Sequence, residues 1–265
     1  MSKPNSSSAT PRPKFIDGVY NYCDRWCERC HFQSRCRLYR DTERMEAIAS
    51  AGLDPKSAVD ASADREPDDD ETDTNEEAAT GERAAFLAAL EAATREPSPE
   101  EARRLDAALD RRSAKEAAHP LTLEAGEYAQ IARGLTVTLR SFLAHSADPV
   151  ALASLETIDH FSMMIAVKTR RAVGSWIALQ EPDDELDDDD FSRVDGNGCA
   201  KLVRLMIAES HDAWNVLMHI GSVAADGVPV AMAKRLERLD AGLANAFPRA
   251  MSFVRAGFDD RGGGS

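Results

Sequence analysis

Residues 149–180 read PVALASLETIDHFSMMIAVKTRRAVGSWIALQ. Asp148-Pro149 opens the stretch as a helix start, with proline placed where a missing N–H costs nothing. Leu152, Leu155, Ala166 and Val173 then fall on one helical face. No alternating pattern of the kind a half-buried strand requires interrupts it, so the segment predicts one helix to about Gln180.

The neighbouring segments read the same way. Thr122 can cap a helix running to about His145. Asp195-Gly196-Asn197-Gly198 reads as a turn that feeds a helix from Cys199 to about Ile220. A last helix runs from about Pro229 to Phe258 with a kink at Pro248. Long helices with short or acidic connections predict an all-α protein, with a bundle of about four long helices over residues 121–258.

Upstream, residues 83–120 read as short helices or a tether. Phe86, Leu87 and Leu90 mark a helix from Arg83 to Arg95, and Ser98-Pro99 caps a very polar one from Glu100 to Ala118. Residues 46–82 are acidic and poor in apolar groups, the composition of a disordered linker. Residues 14–45 hold a four-cysteine module. Residues 1–13 and 259–265 read as disordered tails.

The formal net charge is -14 and the pI about 4.9. Such a field repels nucleic acid and anionic membranes from the chain as a whole. The first residues are polar, with no apolar run of the signal-peptide kind, and no uninterrupted apolar stretch of membrane-spanning length stands out. A cytoplasmic location is expected, and abundant alanine and arginine with sparse lysine suggest a bacterial source. In a reducing compartment, clustered cysteines bind metal more often than they pair.

Four of the five cysteines lie within Cys23-Asp24-Arg25-Trp26-Cys27-Glu28-Arg29-Cys30-His31-Phe32-Gln33-Ser34-Arg35-Cys36. The spacing, C-x3-C-x2-C-x5-C, lets Cys23, Cys27, Cys30 and Cys36 close around one metal site. Structural zinc favours two well-separated Cys-x2-Cys knuckles, whereas this run has one such pair and is compressed, as cluster-binding runs often are. The reading is a [4Fe-4S] cluster, with Zn2+ as the alternative. Tyr22, Trp26, Phe32 and Tyr39 would shield it, and Arg25, Arg29, Arg35 and Arg37 would offset its negative charge.

Cys27 to Cys36 resembles the C-x2-C-x5-C tail of RecB-type nucleases, which carries a [4Fe-4S] cluster. The likeness covers about ten residues, and the nuclease core with its Asp and Glu-x-Lys is not evident, so the resemblance implies a cluster and no nuclease activity. The first three cysteines also resemble the C-x3-C-x2-C of radical S-adenosylmethionine enzymes. Arg29 stands where those have an aromatic, the strands of their barrel are missing, and a fourth cysteine would fill the open iron. The combination of Phe15-Ile16-Asp17-Gly18, the cysteine motif and Asp195-Gly196-Asn197-Gly198 resembles uncharacterised bacterial proteins, which implies no activity.

Within the bundle, Glu209 interrupts an apolar stripe of Leu202, Met206, Ala213, Val216 and Ile220, and Asp159 sits similarly in its own helix. Glu156 and His160 share a face four residues apart. Glu127, Glu156, Asp159, His160 and Glu209 are therefore candidates for a second metal or ligand site. A ferritin-like dinuclear site also needs Glu-x-x-His, which neither candidate helix carries. Ion pairing of Asp159 or Glu209 with Lys168, Arg170 or Lys201 is the simpler expectation.

A cluster with four protein ligands has no open iron, so its roles would be electron transfer, oxidant sensing or structure. The expected function is a non-enzymatic iron–sulfur protein whose bundle binds or regulates a protein partner. The alternatives are an oxidoreductase with a second centre in the bundle, and a zinc-binding structural protein. Nucleic acid could engage only the arginines of the cysteine module, and no membrane partner is expected.

Overall fold

A computed structural model of the protein describes residues 14–53, 96–143, 148–180, 189–220 and 227–259. Six α-helices and no strand occur among the described residues: α1 (Arg37–Ser50), α2 (Pro99–Ala118), α3 (Pro120–Leu143), α4 (Pro149–Gln180), α5 (Asp189–Met218) and α6 (Val228–Ala246). The protein is all-α, as the apolar periodicity predicts. The expected helix at 83–95, the N-terminal tail, residues 260–265 and most of the acidic linker lie outside the described residues, whereas Asp259, expected in the C-terminal tail, is described and paired. The chain divides into two compact units, one Met1–Arg40 with Leu109–Ser265 and the other Asp41–Ala108.

Helices α3 to α6 form the bundle. Each packs on the next, and α6 returns against α3 to close a ring of four. The core holds Tyr128, Leu155, Ile158, Phe161, Leu202, Met206, Trp214, Leu217, Leu236 and Leu239, all essentially inaccessible to water. Trp214 Nε1 donates to the hydroxyl of Tyr128 at 3.3 Å, so a polar atom of one of the largest fully buried side chains is partnered within the core.

Local chemistry sets most helix starts. Ser98 and Glu101 exchange hydrogen bonds, Glu101 N to Ser98 Oγ at 3.2 Å and Ser98 N to Glu101 Oε2 at 2.8 Å, a capping box at the head of α2. Asp148 Oδ1 accepts the amides of Val150 and Ala151 at the head of α4. Helix α3 begins two residues before the expected Thr122 cap. Pro120 takes the first helical turn, and His119 Nδ1 accepts the amide of Leu121 at 3.2 Å.

Two expected breaks are placed differently. Helix α5 runs unbroken through Asp195-Gly196-Asn197-Gly198. The glycines there serve close packing instead of a turn: a Cβ on Gly196 would lie 3.1 Å from Ser175 Cβ, and one on Gly198 would run into the ring of Tyr22. At Pro248 the last helix stops instead of kinking. Phe247, pushed out of the helical region by the following proline, ends α6, and a short 3-10 turn, Ala250–Ser252, leads into extended chain.

Helix α4 is long and apolar enough to cross a membrane by length and composition, which inspection for an uninterrupted apolar run does not reveal. Its buried residues, Ala151, Leu155, Ile158, Phe161, Ile165, Ala172 and Val173 among them, belong to the bundle core. A core helix reads as apolar for that reason.

Candidate metal centre

The cysteine segment has little regular structure, and its course is fixed by short turns and by docking on the bundle. Two 3-10 turns, Cys27–Arg29 and Gln33–Arg35, each end at a cysteine, Cys30 and Cys36. Gln33 Nε2 donates to the carbonyl of Cys27 and ties the two turns together. Arg25 adopts a left-handed φ of 59°, which turns the chain between Cys23 and Cys27.

Trp26 is the anchor. Only 7% exposed, it belongs to the bundle core. Its ring stacks on His160 at 4.3 Å and meets the edge of Phe161 at 5.4 Å, while the guanidinium of Arg29 lies 3.6 Å from its centroid. His160 Nε2 lies 3.0 Å from the carbonyl of Asp24, and Lys168 Nζ donates to the carbonyl of Asn21 at 3.2 Å. Backbone carbonyls that the irregular segment leaves unpaired are thus taken up by side chains of α4.

Cys23, Cys27, Cys30 and Cys36 line one narrow hollow, walled by Val19, Tyr20, Trp26, Phe32, Tyr39 and Phe258. The thiols act on one another. Burial pushes Cys27 up, and Cys23, Cys30 and Cys36 push it further because each resists a neighbouring thiolate. Cys23 is raised chiefly by burial, with an opposing hydrogen bond from the Arg25 amide. The amide of Phe32 points at Cys30 Sγ at 3.4 Å. Two sulfurs therefore each receive an N–H from the residue two positions on, the kind of donor that tunes metal-bound thiolates. Among the described residues no group of three or more His, Cys, Asp or Glu is arranged to hold a single metal ion.

The expected shield is partly rearranged. Trp26, Phe32 and Tyr39 wall the hollow, but Tyr22 turns to the bundle, with its hydroxyl 3.4 Å from Asp195 Oδ1 and its ring edge-on to Phe253 at 4.7 Å. Tyr20 and Phe258 complete the wall instead. Of the arginines, Arg29 pairs with Glu156 at 3.1 Å and Arg35 donates to the carbonyl of Lys14.

The five bundle candidates are spread over three settings. Glu156, Asp159 and His160 line an open groove of about 620 Å3 with Trp26, Glu28, Arg29, Arg133, Arg140 and Met163. Glu156 is matched to Arg29 and Asp159 to Arg140 at 3.4 Å, and Asp159 also accepts from Thr136. Glu127 is exposed and paired with Arg235 at 2.7 Å. Glu209 is exposed on α5, where the helix phase buries Ser210 in its place. Although it is exposed, desolvation by the neighbouring chain is the first cause that raises its carboxyl, with Asp24 adding to it and Arg29 and Arg255 opposing. The cations named as partners for Asp159 and Glu209 are engaged elsewhere: Lys168 on the module, Arg170 on Glu116, Lys201 on Asp259.

The bundle's deepest carboxylate is Asp195, which local sequence presents as a turn residue. Its side chain is 4% exposed and accepts Arg171 through Nε at 2.8 Å and Nη2 at 2.7 Å, with Ser175 Oγ and the Tyr22 hydroxyl adding to the network. Cys199 lies beside it, and burial followed by that carboxylate pushes its thiol up to about 11. A glycine on each side of Asn197 in a helix-long pattern is the signal for this close contact. Phe258 carries no comparable signal.

The chain matches no protein-family model, no curated protein and no solved structure.

Proposed function

We propose that Cys23, Cys27, Cys30 and Cys36 hold a [4Fe-4S] cluster in a non-enzymatic protein whose helical bundle serves as the partner-binding or regulatory body. The observation that carries this reading is the convergence of all four thiols on one apolar-walled hollow, docked on the bundle through Trp26.

The donor set fits the group. Four cysteines line one hollow whose walls hold no cation except Arg25, and the repulsion that Cys23, Cys30 and Cys36 exert on a Cys27 thiolate is what a bound cation would relieve. Zn–S bonds of about 2.3 Å would bring four sulfurs around one point, whereas a cluster spreads its ligands over several irons. With four protein ligands it would supply one-electron transfer, oxidant sensing or structural support. The chain's own residues exclude water through Trp26, Phe32 and Tyr39, and orient two sulfurs through the amides of Arg25 and Phe32.

Iron, zinc and acid-labile sulfide measured on protein purified without oxygen test this. Roughly four irons and four sulfides per chain, with a broad band near about 400 nm, are expected. One zinc without sulfide would replace the cluster by a structural zinc site, and no metal at all would overturn the metal centre.

A further inference from the structure

The strap that follows the bundle, residues 253–259, reaches back to the cysteine hollow from more than two hundred positions away. Phe258 is part of the hollow's wall. Its ring meets Phe32 edge-on at 5.0 Å and His31 at 6.4 Å, and the Arg255 guanidinium sits 5.0 Å from its centroid. Gly257, at φ +78°, lets the strap pass close to Ile16 and Val19; a Cβ there would stand 3.3 Å from each.

A buried cation fixes the strap. Lys201, on α5 and 10% exposed, donates to the Phe253 carbonyl at 2.6 Å and to Asp259 Oδ2 at 2.7 Å. Asp259 also accepts the Arg255 amide at 2.9 Å and its guanidinium at 3.2 Å. A lysine this buried is costly unless paired, and its partners both belong to the strap. The arrangement clasps both ends of the strap to α5 and holds Phe258 between them.

We propose that Phe258 is the outer wall of the metal centre and that Lys201, Arg255 and Asp259 are positioning residues that keep it closed over the four cysteines. The inference rests on the metal-centre reading for its consequence, slow exchange of the centre with water, oxidants and chelators. Its geometry is testable without metal.

The test uses the full chain with Phe258→Ala, Asp259→Asn and, as the conservative rescue, Phe258→Leu. In metal-free, reduced protein, iodoacetamide labelling followed by mass spectrometry reads each thiol separately. Phe258→Ala and Asp259→Asn are expected to speed labelling of the motif cysteines about tenfold and leave Cys199 protected, whereas Phe258→Leu is expected to keep most of the wild-type protection. In protein loaded without oxygen, the same two variants are expected to lose metal to a chelator about tenfold faster than wild type. Unchanged labelling of the motif cysteines overturns the inference. So does faster labelling that extends equally to Cys199, since that reports general unfolding. Wild-type metal content is the separate readout for the centre: normal content with unchanged labelling removes the strap and leaves the centre, while no metal with strap-dependent labelling leaves the wall and removes the centre.

Discussion

Trp26 borders two hollows with opposite electrostatic character. The cysteine hollow gathers four groups of one kind, and Cys23, Cys30 and Cys36 raise the cost of ionising Cys27. The groove on α3 and α4 gathers Arg29, Arg133 and Arg140 with Glu28, Glu156 and Asp159, and its carboxylates on α4 are already matched to arginines. A set of like groups held together by the fold at a cost to itself is completed by a ligand of opposite charge. A set of opposite charges completes itself. By that criterion the smaller hollow is the better candidate for a site, although the groove is the size of an ordinary ligand pocket.

The largest effect expected of this contrast is on bound metal. Cys27→Ser and Cys30→Ser each abolish the centre, whereas Glu156→Gln, Asp159→Asn and Glu127→Gln leave iron and sulfide per chain unchanged. Metal analysis of the five proteins purified side by side decides it. Metal lost with the carboxylates and kept with the serines would exchange the roles of the two hollows.

The next effect is on stability, and it contrasts Asp195 with the groove's Asp159. Asp195 is 4% exposed and Asp159 37% exposed as side chains. Asp195→Ala strands Arg171, Ser175 and the Tyr22 hydroxyl, and is expected to cost about 3 kcal/mol, discounted from the fully buried case because Arg171 is half exposed. In urea unfolding that is a clear fall in midpoint at constant slope. A cost under about 1 kcal/mol would mean the network is surface-like.

The same region predicts an alkaline limit. Burial is the first cause that raises Cys199 to about 11 and Tyr22 to about 12, each above its ordinary value of 9.0 or 10.0. A raised folded-state value favours the protonated form in the fold. The stability it contributes is complete below pH 9 and is lost as pH rises through 11 and then 12. Metal-free protein should lose melting temperature over that window, and Cys199→Ala should remove the lower part of the loss.

The fold was legible because helices announce themselves by period and by caps: Ser98, Asp148 and Pro149 mark ends that the structure keeps. The four cysteines were legible from spacing alone, and the structure brings them to one hollow. What local reading missed depends on contacts far apart in sequence. Asp195-Gly196-Asn197-Gly198 has turn composition, yet packing against Ser175, Phe247 and Tyr22 outweighs a local preference of about 1 kcal/mol per glycine. Phe258 stands beside the cysteines in a strap that Lys201 binds, a pairing no short window contains. Glu209 faces outward, one residue out of phase with the apolar stripe, and Ser210 is the buried neighbour.

Glycines sharpen the comparison by a smaller amount. Gly126 and Gly134 on α3 have nothing within 4 Å of where a Cβ would stand, while one on Gly198 would overlap Tyr22. Gly126→Ala and Gly134→Ala should each stabilise by up to about 1 kcal/mol through helix propensity. Gly198→Ala should lose that gain and destabilise by about 1 kcal/mol, because Tyr22 is held between Asp195 and Phe253. Stabilisation by all three would show that the Tyr22 segment is free to move off the bundle.

The smallest effect is the one that tests whether the groove completes itself. The Arg140–Asp159 pair spans 3.4 Å with both side chains more than a third exposed, so solvent and salt screen most of its attraction. Asp159→Asn keeps the Thr136 contact in shape and removes only the charge, and should change the unfolding free energy by less than about 0.5 kcal/mol. The informative variant is the double one, Arg140→Gln with Asp159→Asn. Matched opposite charges make the pair nearly neutral to remove, so the double variant should be no worse than the sum of the singles. A groove kept for an anion would behave differently: Asp159→Asn alone would free Arg140 beside Arg133 and give phosphate-dependent stabilisation that the double variant lacks. A flat phosphate titration in all three proteins is the expected result, and it would leave the cysteine hollow as the place where the fold holds unfavourable groups together.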